Sequence, residues 1–130
     1  LIREFTDQAP AALTYDVTRT APFVLDCIED QDKMMAVAES GGVVYGLIAG
    51  ILSPHPFFDA LYSTELAWYV KKGHRGGSAP IKLLKTWVDW SRYRKADWLV
   101  IGDICSVQNN QRLYEKLGFT LTEKTYYMKG

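Results

Sequence analysis

Cysteine is scarce. Only Cys27 and Cys105 occur in the 130 residues, too few for a disulfide framework and in keeping with a reduced compartment. Net charge is lacking as well. Fifteen Lys and Arg offset fifteen Asp and Glu, which excludes a nucleic-acid binder that works through a bulk positive field. No apolar run approaches the roughly 20 residues that span a bilayer. The longest, Val43 to Leu52, carries Tyr45 and two glycines and stops at Ser53-Pro54-His55-Pro56. No secretory leader is visible, and the opening Leu1 leaves room for a short N-terminal piece before it. Internal repeats, Gly/Ser linkers and His/Cys/carboxylate clusters at metal-ligand spacing are also missing, so no metal site is expected. These absences describe a soluble, cytoplasmic chain whose residues 1–130 make one domain.

What is present fits that frame. Hydrophobic residues at 48% and charged residues at 23% are globular proportions, and 4 Trp, 8 Tyr and 5 Phe supply a large core. Residues 10–30 space their apolar side chains at three and four, which predicts short amphipathic helices, the second opened by Pro22. Met34 to Glu39 and Val43 to Leu52 read as strands joined by Ser40-Gly41-Gly42, a hairpin signal because glycine accepts positive φ. Gly46 and Gly50 within the second strand predict a bend or a close backbone approach. The residues from Ser53 to Asp59, with prolines on both sides of His55, are expected to form a loop.

Leu61 to Val70 reads as a third strand, with Tyr62, Thr64, Leu66, Trp68 and Val70 on one face and Glu65 on the other. A helix follows over about 79–96, capped by Ser78, with Pro80 in its first turn and a stripe of Ile81, Leu84, Trp87, Val88 and Ser91. Trp98 to Ile104 is expected as a strand, Asn109 to Leu117 as a helix ended by Gly118, and Phe119 to Met128 as a final strand. Strands alternating with helices imply some parallel pairing, hence an α/β (α+β) fold with a mixed sheet.

The segment from Val70 through Arg75, Gly76 and Gly77 to Leu84 carries chemical meaning. A strand that enters a glycine-containing loop and then a helix can present backbone N–H groups to phosphate oxygens. The spacing is neither that of a P-loop nor that of the dinucleotide fingerprint. Taken alone, the loop suits a plain turn equally well.

Val70, Arg75-Gly76 and Leu83-Leu84 resemble the acetyl-CoA loop of the GNAT superfamily of N-acetyltransferases, Arg/Gln-x-x-Gly-x-Gly/Ala before a helix with a Leu-Leu pair. In this register Ser78 and Pro80 stand where the family has glycine or alanine. Arg112-Leu113-Tyr114-Glu115-Lys116-Leu117-Gly118-Phe119 is similar to the family's C-terminal helix-and-turn over nearly every letter. The resemblance spans about Lys33 to Tyr127. It implies a mixed sheet in which Leu61–Val70 and Trp98–Ile104 splay apart, with acetyl-CoA as co-substrate in the gap. Backbone at Tyr69 and Val70 would pair with the pantetheine arm. The N–H groups of Arg75, Gly76, Gly77, Ser78 and Ala79 would hold the pyrophosphate, with Pro80 unable to donate.

The resemblance also implies that Tyr114 protonates the departing thiolate, against the plainer reading of a tyrosine packed at the sheet edge. Val107 stands where the family often has an asparagine, with Asn109 and Asn110 nearby. Glu65 is the first candidate for general base and Asp103 the second, while an exposed strand carboxylate is the plainer reading of Glu65. His55 and His74 titrate in a useful range but have ordinary homes in their loops. Cys105 near the splay is a further candidate, as an acyl acceptor or, more commonly for its type, an inert buried thiol.

The expected function is therefore acetyl-CoA-dependent transfer to an unidentified amine, small molecule or protein, by direct attack. The alternative is a catalytically degenerate relative, similar to small phage-associated members, with a CoA-binding or structural role. The aromatic loop Pro54-His55-Pro56-Phe57-Phe58 is a candidate acceptor wall or homodimer contact. Neither a nucleic-acid nor a membrane partner is expected.

Overall fold

The Gly41-Gly42 pair makes the tight hairpin turn that organises the sheet. Both residues have positive φ, +58° and +79°, and Ser40 pairs with Val43 directly across the turn. The computed structural model describes residues 1–7, 16–103 and 110–130, and these fall into two compact units. The first holds Asp16–Ile101; the second holds the N-terminal helix and the chain from Gly102 onward.

In the first unit helix α2 (Val17–Glu29) precedes β1 (Lys33–Ser40), β2 (Val43–Pro54) and β3 (Leu61–Val70). A short 3-10 turn at Lys72–His74, helix α3 (Ala79–Tyr93) and β4 (Trp98–Val100) complete it. The four strands lie in the order β1-β2-β3-β4, antiparallel except for the parallel pair β3 and β4. This is the mixed sheet expected from the sequence. In the second unit, α1 (Ile2–Thr6) and α4 (Gln111–Lys116) are the helices among the described residues.

Glycine decides how α3 meets the sheet. A Cβ on Gly46 would stand 3.1 Å from a methyl of Leu83, and one on Gly50 would stand 2.5 Å from the indole nitrogen of Trp87. The two glycines are thus the close approach that their placement within a strand predicted. Leu84 and Trp87 are wholly buried, Leu83 and Val88 nearly so. Ile81, expected in this stripe, is exposed, and Leu83 packs in its stead. Ser63 of β3 and Ser91 of α3 are also wholly buried, with their hydroxyls 2.6 Å apart. Ser91 spends its proton on the Trp87 carbonyl at 2.8 Å, so Ser63 is the donor to Ser91.

Several expectations need correction. Pro22 lies inside α2 rather than at its start, because Asp16 caps the helix earlier. The Asp16 carboxylate accepts the Thr18 hydroxyl at 2.6 Å and the Thr18 amide at 2.8 Å. Those bonds hold its pKa below the ordinary carboxylate value. β2 runs on through Ser53 to Pro54, which pairs with Leu61. Proline is tolerated there because β1 ends at Lys33, opposite Ile51, and asks nothing of Pro54's missing N–H. Ser78 stands at the N-cap of α3 in a helical conformation and makes no side-chain cap bond.

The same helix ends at Tyr93, where the sequence predicted about residue 96. Lys95 takes a left-handed φ of 59°, with Lys95 N–H to Arg92 C=O and Ala96 N–H to Ser91 C=O closing the terminus. The strand expected over Phe119–Met128 does not form. Residues 119–130 lie outside the sheet, with Tyr126 and Met128 about nine-tenths exposed. β4 ends at Val100, and the remainder of its expected span, Ile101 to Asp103, is not strand; Ile104 lies outside the described residues.

The parity of β3 also differs from simple alternation. Ala49 pairs with Ala67 but Gly50 pairs with Glu65, so Leu66 is an extra residue, a β-bulge. Positions Gly46, Ile48, Gly50 and Leu52 share a face, and so do their partners Val70, Trp68, Glu65 and Ser63. Glu65 is therefore on the same face as Trp68, not the opposite one. One inserted residue reverses the face of everything on one side of it.

Two stability effects follow. Gly50→Ala should lose about 1–3 kcal/mol in chemical denaturation, since the Trp87 ring must shift from a fully packed site. Lys95→Gly should gain roughly 0.5–1 kcal/mol by relieving the left-handed lysine.

Candidate functional site

Asp97 fixes the root of the β3–β4 pair. Its carboxylate accepts the Leu61 N–H at 2.7 Å, and its own N–H donates to the Leu61 carbonyl at 2.8 Å. The parallel ladder then runs from Tyr62 opposite Trp98 to Thr64 opposite Val100 and stops. β3 continues past the Leu66 bulge to Val70, paired on its other edge with β2. The two strands are thus neighbours at one end only, which is the splayed arrangement that the sequence led one to expect.

The loop that follows β3 is held at its base. Lys71 N–H donates to the Tyr45 carbonyl at 2.9 Å, and His74 N–H closes the 3-10 turn on the Lys71 carbonyl at 2.9 Å. The His74 ring stacks on Tyr45, with ring centres 4.2 Å apart. Arg75 folds back along β3: its Nε donates to the Val70 carbonyl at 2.6 Å, and its guanidinium lies 5.2 Å from the Tyr69 ring centre. Tyr69 and Val70 are both buried.

Beyond Arg75 the backbone is open. Among the described residues, the N–H groups of Gly76, Gly77, Ser78 and Ala79 make no backbone hydrogen bond, and the first such bond into α3 is Lys82 N–H to Ser78 C=O at 3.0 Å. Pro80 has no N–H to add. None of Gly73, Gly76 and Gly77 has positive φ, and a Cβ on Gly76 would meet no protein atom within 4 Å. Donors without internal partners, at the positive end of a 15-residue helix, suit an anion. The residues present thus fit a pyrophosphate group, with one donor fewer at Pro80.

The second unit holds the other candidate residues. The Tyr114 side chain is buried, and its hydroxyl donates to the Gly102 carbonyl at 3.0 Å. Gly118, at φ +96°, ends α4 as predicted, with Phe119 N–H on Tyr114 C=O at 2.9 Å and Gly118 N–H on Glu115 C=O at 3.0 Å. Phe119 is half-buried beside Tyr114, ring centres 6.0 Å apart, rather than sunk in a core. The helix itself is Gln111–Lys116, shorter than Asn109 to Leu117. Asp103 accepts the Asn110 N–H at 3.0 Å, so the second candidate base serves at least as a brace for the start of α4. Cys105, Val107 and Asn109 lie outside the described residues.

Glu65 is half-buried at the bulge of β3. His55 sits in the turn between β2 and β3, where its Nδ1 accepts the Phe57 N–H at 3.1 Å and its ring packs near Phe58 and Tyr62. That turn precedes β3 and the candidate loop follows it, so the full strand Leu61–Val70 separates the aromatic turn from the open N–H groups. A cleft of about 560 Å³ between α2, β1 and α3 went unforeseen. Its two cations are paired, Arg94 to Asp32 at 2.9 Å and Lys33 to Asp26 at 3.1 Å. Burial raises the pKa of the Cys27 thiol in its lining, which disfavours the thiolate. Arg75's tie to Val70 was also unforeseen, since sequence does not show which way a long side chain turns.

No protein-family model and no curated protein matches the chain. Solved structures do. A transcriptional regulator from Bacillus halodurans C-125 superposes with a TM-score of 0.77 at 15% identity, over 98% of this chain and 91% of that one. A ribosomal-protein-alanine N-acetyltransferase from Brucella melitensis biovar Abortus 2308 gives 0.70 at 16% identity, over 100% and 88%. The acetyltransferase AAC(6')-Iy, in complex with a CoA-containing bisubstrate analogue, gives 0.73 at 14% identity, over 99% and 88%. The chain has the GNAT fold. Because Gly76 is free of both steric and φ constraints, Gly76→Val should leave denaturation within about 0.5 kcal/mol of wild type.

Proposed function

We propose that this protein is an acetyl-CoA-dependent N-acetyltransferase that passes the acetyl group directly to an amine. The observation that carries the reading is the run of open N–H groups from Gly76 to Ala79 at the start of α3, beyond the unpaired end of the β3–β4 ladder. The fold shared with N-acetyltransferases supports it, one of them solved with a CoA-containing analogue.

In this proposal the N–H groups of Gly76 to Ala79 bind the pyrophosphate, the expected Arg75 N–H being turned instead to the Lys72 carbonyl, and the backbone of Tyr69 and Val70 aligns the thioester arm. Acetyl-CoA supplies an activated acyl group. The amine attacks the thioester carbonyl, a C–N bond forms and the C–S bond breaks. The amine's surplus proton leaves to Glu65, directly or through water, and the thiolate receives a proton from Tyr114. The Tyr114 hydroxyl donates to the Gly102 carbonyl, so this role requires that bond to be exchanged. Most of the rate enhancement would come from positioning.

A second reading, a non-catalytic relative, is favoured by Ser78 and Pro80 in the loop and by the structural likeness to a transcriptional regulator. Thermal unfolding with CoA tests the shared premise: a ligand selective for the folded state adds about 2.7 kcal/mol at a hundredfold excess over Kd. Wild type should be stabilised by CoA and Gly76→Val should not, because a branched Cβ obstructs backbone contact with phosphate. Tyr114→Phe should keep CoA binding and lose roughly ten- to a thousandfold in turnover. A wild type that binds CoA yet turns over no amine selects the second reading.

A further inference from the structure

The Arg75 side chain occupies a place that the proposed ligand would need. Lys71 directs its N–H to Tyr45 on β2. Peptide groups alternate sides along a strand, so those of Val70 point the other way, to the edge where the β4 ladder has ended. Arg75 Nε sits on that carbonyl at 2.6 Å, and the guanidinium covers the Tyr69 ring. The arginine thereby fills the hydrogen-bonding position of an added strand.

We infer that Arg75 is a latch that couples phosphate recognition to exposure of the Val70 carbonyl; this rests on the CoA reading above. The chemistry favours release. The guanidinium has a neutral carbonyl and a ring face as partners, and among the described residues its Nη groups make no hydrogen bond. Arginine bonds to phosphate are charge-assisted, roughly twice as strong as those to neutral acceptors, and often bidentate. The open N–H groups begin at Gly76, the next residue, so an anion held there lies within reach of the guanidinium. Once it turns to the anion, Val70 can accept an amide N–H from an extended ligand arm. Phosphate binding then precedes and permits seating of the arm, so a short thioester lacking phosphates meets a closed edge.

Nitrogen-15 NMR of the intact protein tests this at the Nε–H of Arg75, the resonance assigned by its loss in both Arg75→Lys and Arg75→Gln. The free protein should show a protected Nε–H. CoA should shift the amides of residues 76–79 and move the Nε–H resonance, because its acceptor changes from the neutral Val70 carbonyl to a phosphate oxygen or to water. Shifted amides with an unchanged Nε–H would overturn the latch and leave the loop assignment standing. An unprotected Nε–H in the free protein would also overturn it. Unshifted amides at saturating CoA would overturn the loop assignment and the latch together.

Discussion

The seating of α3 on two glycines of β2 is the contact on which the rest depends. Trp87 over Gly50 and Leu83 over Gly46 fix how closely the helix approaches the sheet and where it lies along β2. The buried Ser63–Ser91–Trp87 hydrogen-bond chain ties the same helix to β3. With α3 fixed on both strands, its N-terminus is fixed relative to Val70, and the intervening loop has defined ends. The open N–H groups at Gly76–Ala79 thus inherit their position from packing well inside the sheet.

The splay is a second consequence of local chemistry. Asp97 clamps β3 and β4 at their shared start, and the Leu66 bulge lies just beyond the last paired residue, Thr64. A bulge bends and twists its strand. β3 is therefore pinned to β4 at its root and turned where the ladder ends. Arg75 then occupies the freed edge, so the splayed end keeps a hydrogen-bonded acceptor at Val70.

Much of this was legible in the sequence and some was not, for identifiable reasons. The Gly41-Gly42 hairpin, the strand-loop-helix order and the Gly118 terminus carry one-residue signals, and each appears. The face of Glu65 was misread because a bulge has no mark in a chain of alternating residues. The end of α3 was misread because lysine, not glycine, takes the left-handed position. Ile81 and Leu83 were exchanged because a stripe of spacing three or four leaves a helix free to turn by a few tens of degrees. Phe119–Met128 has strand-like residues, but strand formation needs an edge to pair with, and composition does not supply one. At the candidate site, the loop was located and the internal bonding of Arg75 and Tyr114 was not.

The glycines of this chain divide into kinds that carry different arguments. Gly46 and Gly50 are required by packing, and Gly41, Gly42 and Gly118 by positive φ. Gly73, Gly76 and Gly77 answer to neither constraint: their φ is not positive, and a Cβ there would have room or only ordinary contact. A folding argument therefore leaves this trio unexplained, as it does Gly102 and Gly130. Under the proposed function, close approach of the ligand to the backbone would give the trio its reason, because there a missing Cβ matters. That the trio falls between the end of β3 and the positive end of α3, beside N–H groups without internal partners, is the strongest reason to look for a phosphate-bearing ligand there.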